Sequence, residues 1–291
     1  MIEALPRLIV TGIMDGTIYG LLAMGLTLQY GVCRVLNIAH GEFLMLAAML
    51  TWTLSAAFGL SPLLVVAIIG PVLFGLGFLL QATLFKALKR RAPSPPVFEG
   101  NALLVAFGLF YVISFVARIS WGARDYTSTI LTDRVTFLGA SFTVNQGIAS
   151  VIAVAIGVAV FVFLSRTRPG RAIRATAEDP ATAGLMGVNT ETILAFSFGL
   201  GALLAAIVGI MISWRNPINT YIGFNNTVIA LVVVTLGGLG SVPGSFIAGI
   251  LIGIVSRLVS GLWDPLLIVP VYYAILMVLL LVKPVGLLGR R

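Results

Sequence analysis

The sequence predicts an all-α, polytopic integral membrane protein with eight or nine transmembrane helices. Three observations predict it. Of 291 residues, 59% are hydrophobic and 10% are charged, and the mean hydropathy is +1.09. A typical soluble domain carries about 25% charged residues, so this chain has too few polar side chains to cover a water-facing surface. The apolar residues fall into runs of about 20, the length a helix needs to cross about 30 Å of hydrocarbon with its backbone bonded internally. The basic residues collect in the gaps between alternate runs, the pattern that orients helices in a membrane.

Taken in order, the runs place spans at 8–30, 36–58, 61–85, 101–119, 144–164, 191–213, 226–242, 244–262 and 265–283. The seventh is short and runs into "GGLGSVPG", which leaves the count at eight or nine. The start, "MIEALPRLIV", has no charged leader and no small-residue cleavage site, so no removable signal peptide is expected. With nine spans, Arg34, the group Lys86, Lys89, Arg90 and Arg91, the group Arg166, Arg168, Arg171 and Arg174, and Lys283, Arg290 and Arg291 all fall on one side. That side is expected to be cytoplasmic, with the C-terminus inside and the short N-terminus outside. The loop 120–143 mixes signs and is expected to face out. The +8 net charge thus reads as positive-inside topology and not as a nucleic-acid footprint; lipid is the expected surrounding.

The single cysteine, Cys33, excludes an intrachain disulfide, and with one histidine, His40, there is no zinc-ligand cluster. Cys33 is expected to be a small packing residue near a helix end. No Gly-Lys pair occurs, so a phosphate-binding Walker A loop is absent. The chain is expected to be no enzyme, to have no catalytic residue, and to bind no metal or cofactor. Ser165 to Thr190 is the one sizeable polar stretch on the inner side, so any energy source must come from another chain.

Lipid tails give helices no hydrophobic reason to associate, and rows of small residues supply close packing instead. Gly12, Gly16 and Gly20 make one such row; Ser245, Gly249 and Gly253 make another, which continues to Arg257. Ionisable groups within the spans are few: Asp15, His40, Glu42 and Arg257. Each costs about 2.5–3.5 kcal/mol at mid-bilayer on insertion scales. Asp15 and Arg257 lie at depths that agree within a turn, so they either pair or sit apart, Arg257 reaching for the headgroups. His40 and Glu42 are expected four and six residues into span two, at its cytoplasmic end. Two apart on a helix, they do not share a face unless the helix breaks at Gly41. They either anchor the helix start in a polar network or border a pathway, where transporters place irregular backbone.

Three blocks carry a resemblance. "NIAHGEFLMLAAM", from Asn37, resembles an Asn-x-Ala-His-Gly-Glu signature. "AEDPATAGLMGVNT", from Ala177, resembles a cytoplasmic coupling segment. "LGGLGSVPGSFIAG", from Leu236, resembles a Gly-rich stretch. All three are similar to those of the LivH-type membrane subunits of branched-chain amino acid ABC importers. They occur in the expected order along nearly the whole chain; Ala47 departs, standing where that family is expected to favour glycine. The resemblance implies a single permease domain over 1–291 with the ABC importer permease fold and a cytoplasmic coupling loop at 165–190. It implies a multi-pass protein of the bacterial inner membrane that moves branched-chain or other apolar amino acids inward by alternating access. The implied partners are a second, homologous or identical permease subunit, two cytoplasmic ATPases that use the ATP and Mg, and a periplasmic substrate-binding protein.

The coupling segment has its own physical reading. Asp179-Pro180 is a helix-start signal, Ala181, Ala183, Leu185 and Met186 continue a short helix, and Gly187 ends it. By resemblance, Glu178, Asp179, Pro180, Ala181 and Gly187 meet the ATPase. Asn37, His40, Gly41 and Glu42, with Gly237, Gly238, Gly240, Pro243 and Gly244, are candidates for the translocation pathway or for helix breaks. The Gly-rich stretch reads either as irregular backbone lining a cavity or as a tight hairpin before a helix begun by Pro243-Gly244. Two alternatives stand: a urea or short-amide permease of the same family, and a self-contained ion-coupled secondary transporter using Asp15, His40 and Glu42.

Overall fold

The structure is a computed structural model that describes residues 5–60, 62–127, 131–137, 140–283 and 286–289. Arg290 and Arg291, used in the charge argument, and parts of the loop 120–143 lie outside the described residues. Among those residues the helices are α1 Leu5–Cys33, α2 His40–Phe58, α3 Pro62–Leu80, α4 Lys86–Arg91, α5 Pro95–Trp121, α6 Val144–Arg166, α7 Arg168–Glu178, α8 Pro180–Leu185, α9 Thr190–Arg215, α10 Ile222–Gly237, α11 Val242–Leu262 and α12 Ile268–Val282. A π-helical turn, Gln81–Phe85, joins α3 to α4, and a 3-10 turn, Pro265–Leu267, precedes α12. Among the described residues, β1 Arg134–Phe137 pairs with β2 Ala140–Thr143, antiparallel, Arg134 opposite Thr143.

Among the described residues, eight helical segments are long and apolar enough to span a membrane, and α10, with 16 residues, is shorter. The fold is therefore that of a polytopic, almost wholly helical membrane protein, as the composition demands. The seventh span is displaced from its expected position: it runs over 222–237 and not 226–242. Gly238 and Gly240 stop it early because both take left-handed backbone, with φ of 102° and 92°, which other residues rarely adopt.

The chain divides into two compact units, and α1, α6 and α10 each contribute to both. The first unit contains Met1–Met24, Thr129–Val158 and Val228–Arg291. Here the two small-residue rows meet face to face. A Cβ on Gly12 would lie 2.7 Å from Ile254 Cα, on Gly16 2.5 Å from Ile250 Cα, and on Gly20 2.8 Å from Phe246 O. The order shows α1 and α11 running antiparallel, backbone against backbone.

The second unit contains Gly25–Ser128 and Ala159–Thr227. Its centre is α9, most of whose residues are buried, packed against α2 and α3. Glycine sets the closeness: a Cβ on Gly209 would collide with Leu44 O and sit 3.0 Å from Ala47 Cβ. The alanine at position 47 is thus accommodated by a glycine on the facing helix. Cys33 ends α1, buried, with its thiol donating to Leu194 O at 3.3 Å.

Candidate functional site

The end of α1 and the start of α2 overlap along α9. At 29 residues α1 is about 43 Å long, more than a bilayer core requires. Cys33 bonds Leu194 O, and Gln29 Nε2 donates to Phe198 O at 3.2 Å, so α1 and α9 run antiparallel. After Cys33 the backbone is non-helical over 34–39, starting with Arg34 at φ 56°. It folds back beside α1: Asn37 Nδ2 donates to Gln29 Oε1 at 3.1 Å, and His40 Nδ1 lies 3.2 Å from the same oxygen. His40 also stands against Gly25, where a Cβ would approach its Cε1 to 3.0 Å. The first residue of α2 is therefore level with Gly25 and Gln29, about 6–12 Å back from the end of α1. This corrects the expected placement of His40 and Glu42. They are the first and third residues of α2, they lie deep in the unit, and the break precedes His40 rather than following it. Non-helical backbone at that depth needs buried partners; Asn37 Oδ1, accepting from Ala39 N at 3.1 Å, supplies one of them.

His40 and Glu42 point to different neighbours, as their spacing requires. Glu42, 1% exposed, faces the first turn of α10. That helix also follows non-helical chain, 216–221, held by Ile218 pairing with Tyr126 and by Thr220 donating to Gly122 O at 3.1 Å. Gly41 N donates to Thr227 Oγ1 at 2.9 Å. A Cβ on Gly41 would collide with Gly223 O, and a Cβ on Gly223 with Glu42 Oε1. Two helix N-termini thus meet, with a carboxylate laid on the bare Cα of Gly223. Both macrodipoles favour negative charge there. Ser114 and Arg118 of α5 are the side chains that act on Glu42, and its Oε2 is buried with no hydrogen-bond partner.

The structure thus brings Asn37, His40, Gly41 and Glu42 together. Gly237, Gly238, Gly240, Pro243 and Gly244 belong to the opposite end of α10. There α10 stops at Gly237, residues 238–241 turn, and Ser241 caps α11 by accepting from Gly244 N at 3.3 Å, with Pro243 in the first turn. Leu287 N and Leu288 N donate to Leu236 O and Gly237 O at 2.8 and 3.1 Å, covering carbonyls at the end of α10. Of the two readings of "GGLGSVPG", the geometry is the tight turn.

The segment after α6 bends sharply. Thr167 accepts from Gly170 N at 3.1 Å as the cap of α7, and a Cβ on Gly170 would collide with Phe163 O. Glu178 ends α7, exposed. Asp179 caps α8, accepting from Ala181 N at 2.9 Å and from the Thr182 hydroxyl, with Pro180 as first helical residue. Those bonds, the Thr182 hydroxyl first, hold the Asp179 carboxyl below the usual aspartate range. Gly187, at φ 84°, closes the helix: its N–H donates to Gly184 O at 3.0 Å and that of Val188 to Ala183 O at 3.1 Å. Ala183 is buried, while Leu185 and Met186 are 88% and 81% exposed. Just beyond, Glu191 of α9 joins Lys86 and Arg90 at 2.5 and 3.2 Å, so the basic end of α4 lies beside the start of α9.

Asp15 and Arg257 are joined, Arg257 Nε donating to Asp15 Oδ2 at 2.5 Å across the α1–α11 contact. Among the described residues, no group of three His, Cys, Asp or Glu side chains could hold a metal ion. The sequence reading missed Gln29, Ser114, Arg118, Gly223 and Thr227. Gln29 is a polar residue inside the first apolar run, and that signal was available. Gly223 and Thr227, four apart, gave no sign of what they face.

A family model described as the permease component of a branched-chain amino acid transport system matches residues 8–283. The High-affinity branched-chain amino acid transport system permease protein LivH of Escherichia coli (strain K12) is 32% identical over 96% of this chain and 94% of its own length. The corresponding protein BraD of Pseudomonas aeruginosa is 30% identical over 97% and 95%. A probable LivH of Methanocaldococcus jannaschii is 27% identical over 82% and 76%. With a family model covering nearly the whole chain and relatives matching end to end, this protein belongs to the family of branched-chain amino acid transport system permease components.

Proposed function

We propose that this chain is the membrane-spanning subunit of an ATP-driven importer, moving branched-chain amino acids inward by alternating access. The observation that carries the reading is the end-to-end match to permeases whose names place them in branched-chain amino acid transport. The proposed assembly contains a second permease subunit, two ATPases on the cytoplasmic face and a periplasmic substrate-binding protein. It sits in the inner membrane with the basic end of α4, α7 and the C-terminus on the cytoplasmic side. ATP and Mg belong to the partner ATPases, and this chain performs no hydrolysis.

Support for the ATPase partner comes from α8. A one-and-a-half-turn helix, capped at both ends, holds Leu185 and Met186 away from its own unit, as an apolar anchor for a groove would be held. Glu178 to Gly187 is the proposed contact, and Glu191 with Lys86 and Arg90 ties its exit to α4. The junction of Asn37, His40, Gly41 and Glu42 with α10 is the proposed pathway element.

Proteoliposomes test the reading. The full assembly should accumulate leucine, isoleucine and valine only with internal ATP, with urea and short amides failing to compete. Leu185→Ser with Met186→Ser should abolish uptake while leaving the chain inserted. Gradient-driven flux through this chain alone, without ATPases, would refute the proposal.

A further inference from the structure

A carboxylate buried in a membrane-spanning unit with one oxygen lacking a donor is costly, and each such orphan requires an explanation. Glu42 Oε2 is that orphan. The residue is not simply misplaced: Gly223 lacks a Cβ at the spot the carboxylate occupies, and two helix N-termini converge on it. The fold keeps an acceptor there and leaves it unfilled.

The same place holds a cation that does not neutralise it. Ser114 and Arg118 are four apart on α5 and share a face. Ser114 adjoins Glu42, and Arg118 lies four residues farther along, about 6 Å of rise, close enough for its charge to act on Glu42. Among the described residues, no ion pair joins the two. Arg118 instead lies over the Tyr221 ring, 4.7 Å from its centroid, just before α10 begins. Glu42 on Gly223 and Arg118 over Tyr221 thus flank the start of α10, two residues apart along it, beside the apolar Phe110–Phe224 contact.

We propose that Glu42 and Arg118 form a clamp for a zwitterionic α-amino acid, Glu42 Oε2 accepting from the ammonium and Arg118 binding the carboxylate. This rests on the permease reading and adds the side chains that read the ligand's two charged groups. The ammonium and carboxylate of an amino acid are attached to one carbon, so a single small ligand presents one charge to each of the two side chains. An aliphatic side chain then lies against Tyr221 and the apolar faces of α5 and α10. In the arrangement described, α2 and α10 are closed on each other through Gly41, Gly223 and Thr227; parting them opens Oε2 to the ligand.

The test uses the assembled transporter in nanodiscs without its binding protein, and reads thermal stabilisation by three probes. Leucine carries both charges, leucinamide lacks the carboxylate, and 4-methyl-2-oxopentanoate lacks the ammonium. Glu42→Gln should raise the half-saturating leucine concentration about tenfold or more and leave the oxo acid unchanged. Arg118→Gln should do the same to leucine and leave leucinamide unchanged. Equal weakening of all probes assigns both residues a structural role and overturns the clamp, as does unaltered leucine binding, or no stabilisation of the unsubstituted transporter at any soluble concentration. If Glu42→Gln does not assemble, Arg118→Gln decides through the leucinamide comparison, because Arg118 is on the exposed last turn of α5. A native assembly that hydrolyses ATP yet takes up no branched-chain amino acid refutes the permease reading itself. Native uptake with both variants indifferent refutes only the clamp.

Discussion

Gly16→Ala isolates the physics that holds α1 to α11. The added Cβ would fall 2.5 Å from Ile250 Cα and 2.8 Å from Gly249 O. Carbon atoms rest at about 3.5–4.0 Å, so the helices must part by about 1 Å. Both obstacles are backbone atoms, and no rotamer change relieves them. Overpacking of this kind costs about 1–3 kcal/mol. Alanine recovers about 0.5–1 kcal/mol through its better helix propensity. The net expectation is destabilisation by about 1–2 kcal/mol, with the adjacent Asp15–Arg257 bond stretched as well. The control is Gly108→Ala in α5, where a Cβ meets nothing within 4 Å; only the propensity gain remains, and stability should rise slightly. Thermal unfolding of each purified single chain in the same detergent reads both. If the two substitutions shift the midpoint in the same direction, the close-contact account of the glycine row is wrong.

Two further expectations follow from ion pairing and capping. Asp15→Arg and Arg257→Asp should each destabilise the chain, and the exchanged double variant should recover most of the loss. A coupling energy of about 0.5–3 kcal/mol in the thermal double-mutant cycle is expected, and additive losses would exclude a direct pair. The Asp179 cap predicts a pH effect on α8. A carboxyl held below its usual value stabilises the folded form above the ordinary aspartate pKa of about 3.9. That contribution fades as pH falls through the lower, folded value. Hydrogen-exchange protection of Ala181 and Thr182, corrected for intrinsic rates, should drop over that acid window in the native chain. It should not drop in Asp179→Asn, which still caps but does not titrate.

Much of the architecture was legible because the bilayer imposes it. A run of apolar residues must be a helix when no water is present to satisfy the backbone, so α1, α6, α9 and α11 emerge from hydropathy within a few residues, while α5 begins six residues before its apolar run. The α8 cap was equally readable, since Asp-Pro followed by Gly187 encodes its own start and stop within nine residues. Depth put Asp15 level with Arg257, because a helix rises by a fixed amount per residue, but left open whether they pair; the bond itself is tertiary. Hydropathy fails at α10. Its apolar content continues past Gly237, and only the left-handed turn at Gly238 and Gly240 shows where the helix ends.

The position of His40 and Glu42 was not legible, and the reason is geometric. Hydropathy measures where a span lies along the chain, and it assumes that each new span begins where the last one ended. Residues 34–39 violate that assumption by folding back along α1. Composition and periodicity by themselves determined that this protein is a helical membrane protein with small-residue packing rows and a short capped helix outside its apolar runs. The tertiary structure alone decided that the first turns of α2 and α10 meet inside it, because Gly41 is far in sequence from Gly223 and Thr227 and becomes their neighbour only when both helices start deep. A carboxylate at such a meeting point takes its character from residues about 70 to 180 positions away, and no local pattern carries that information.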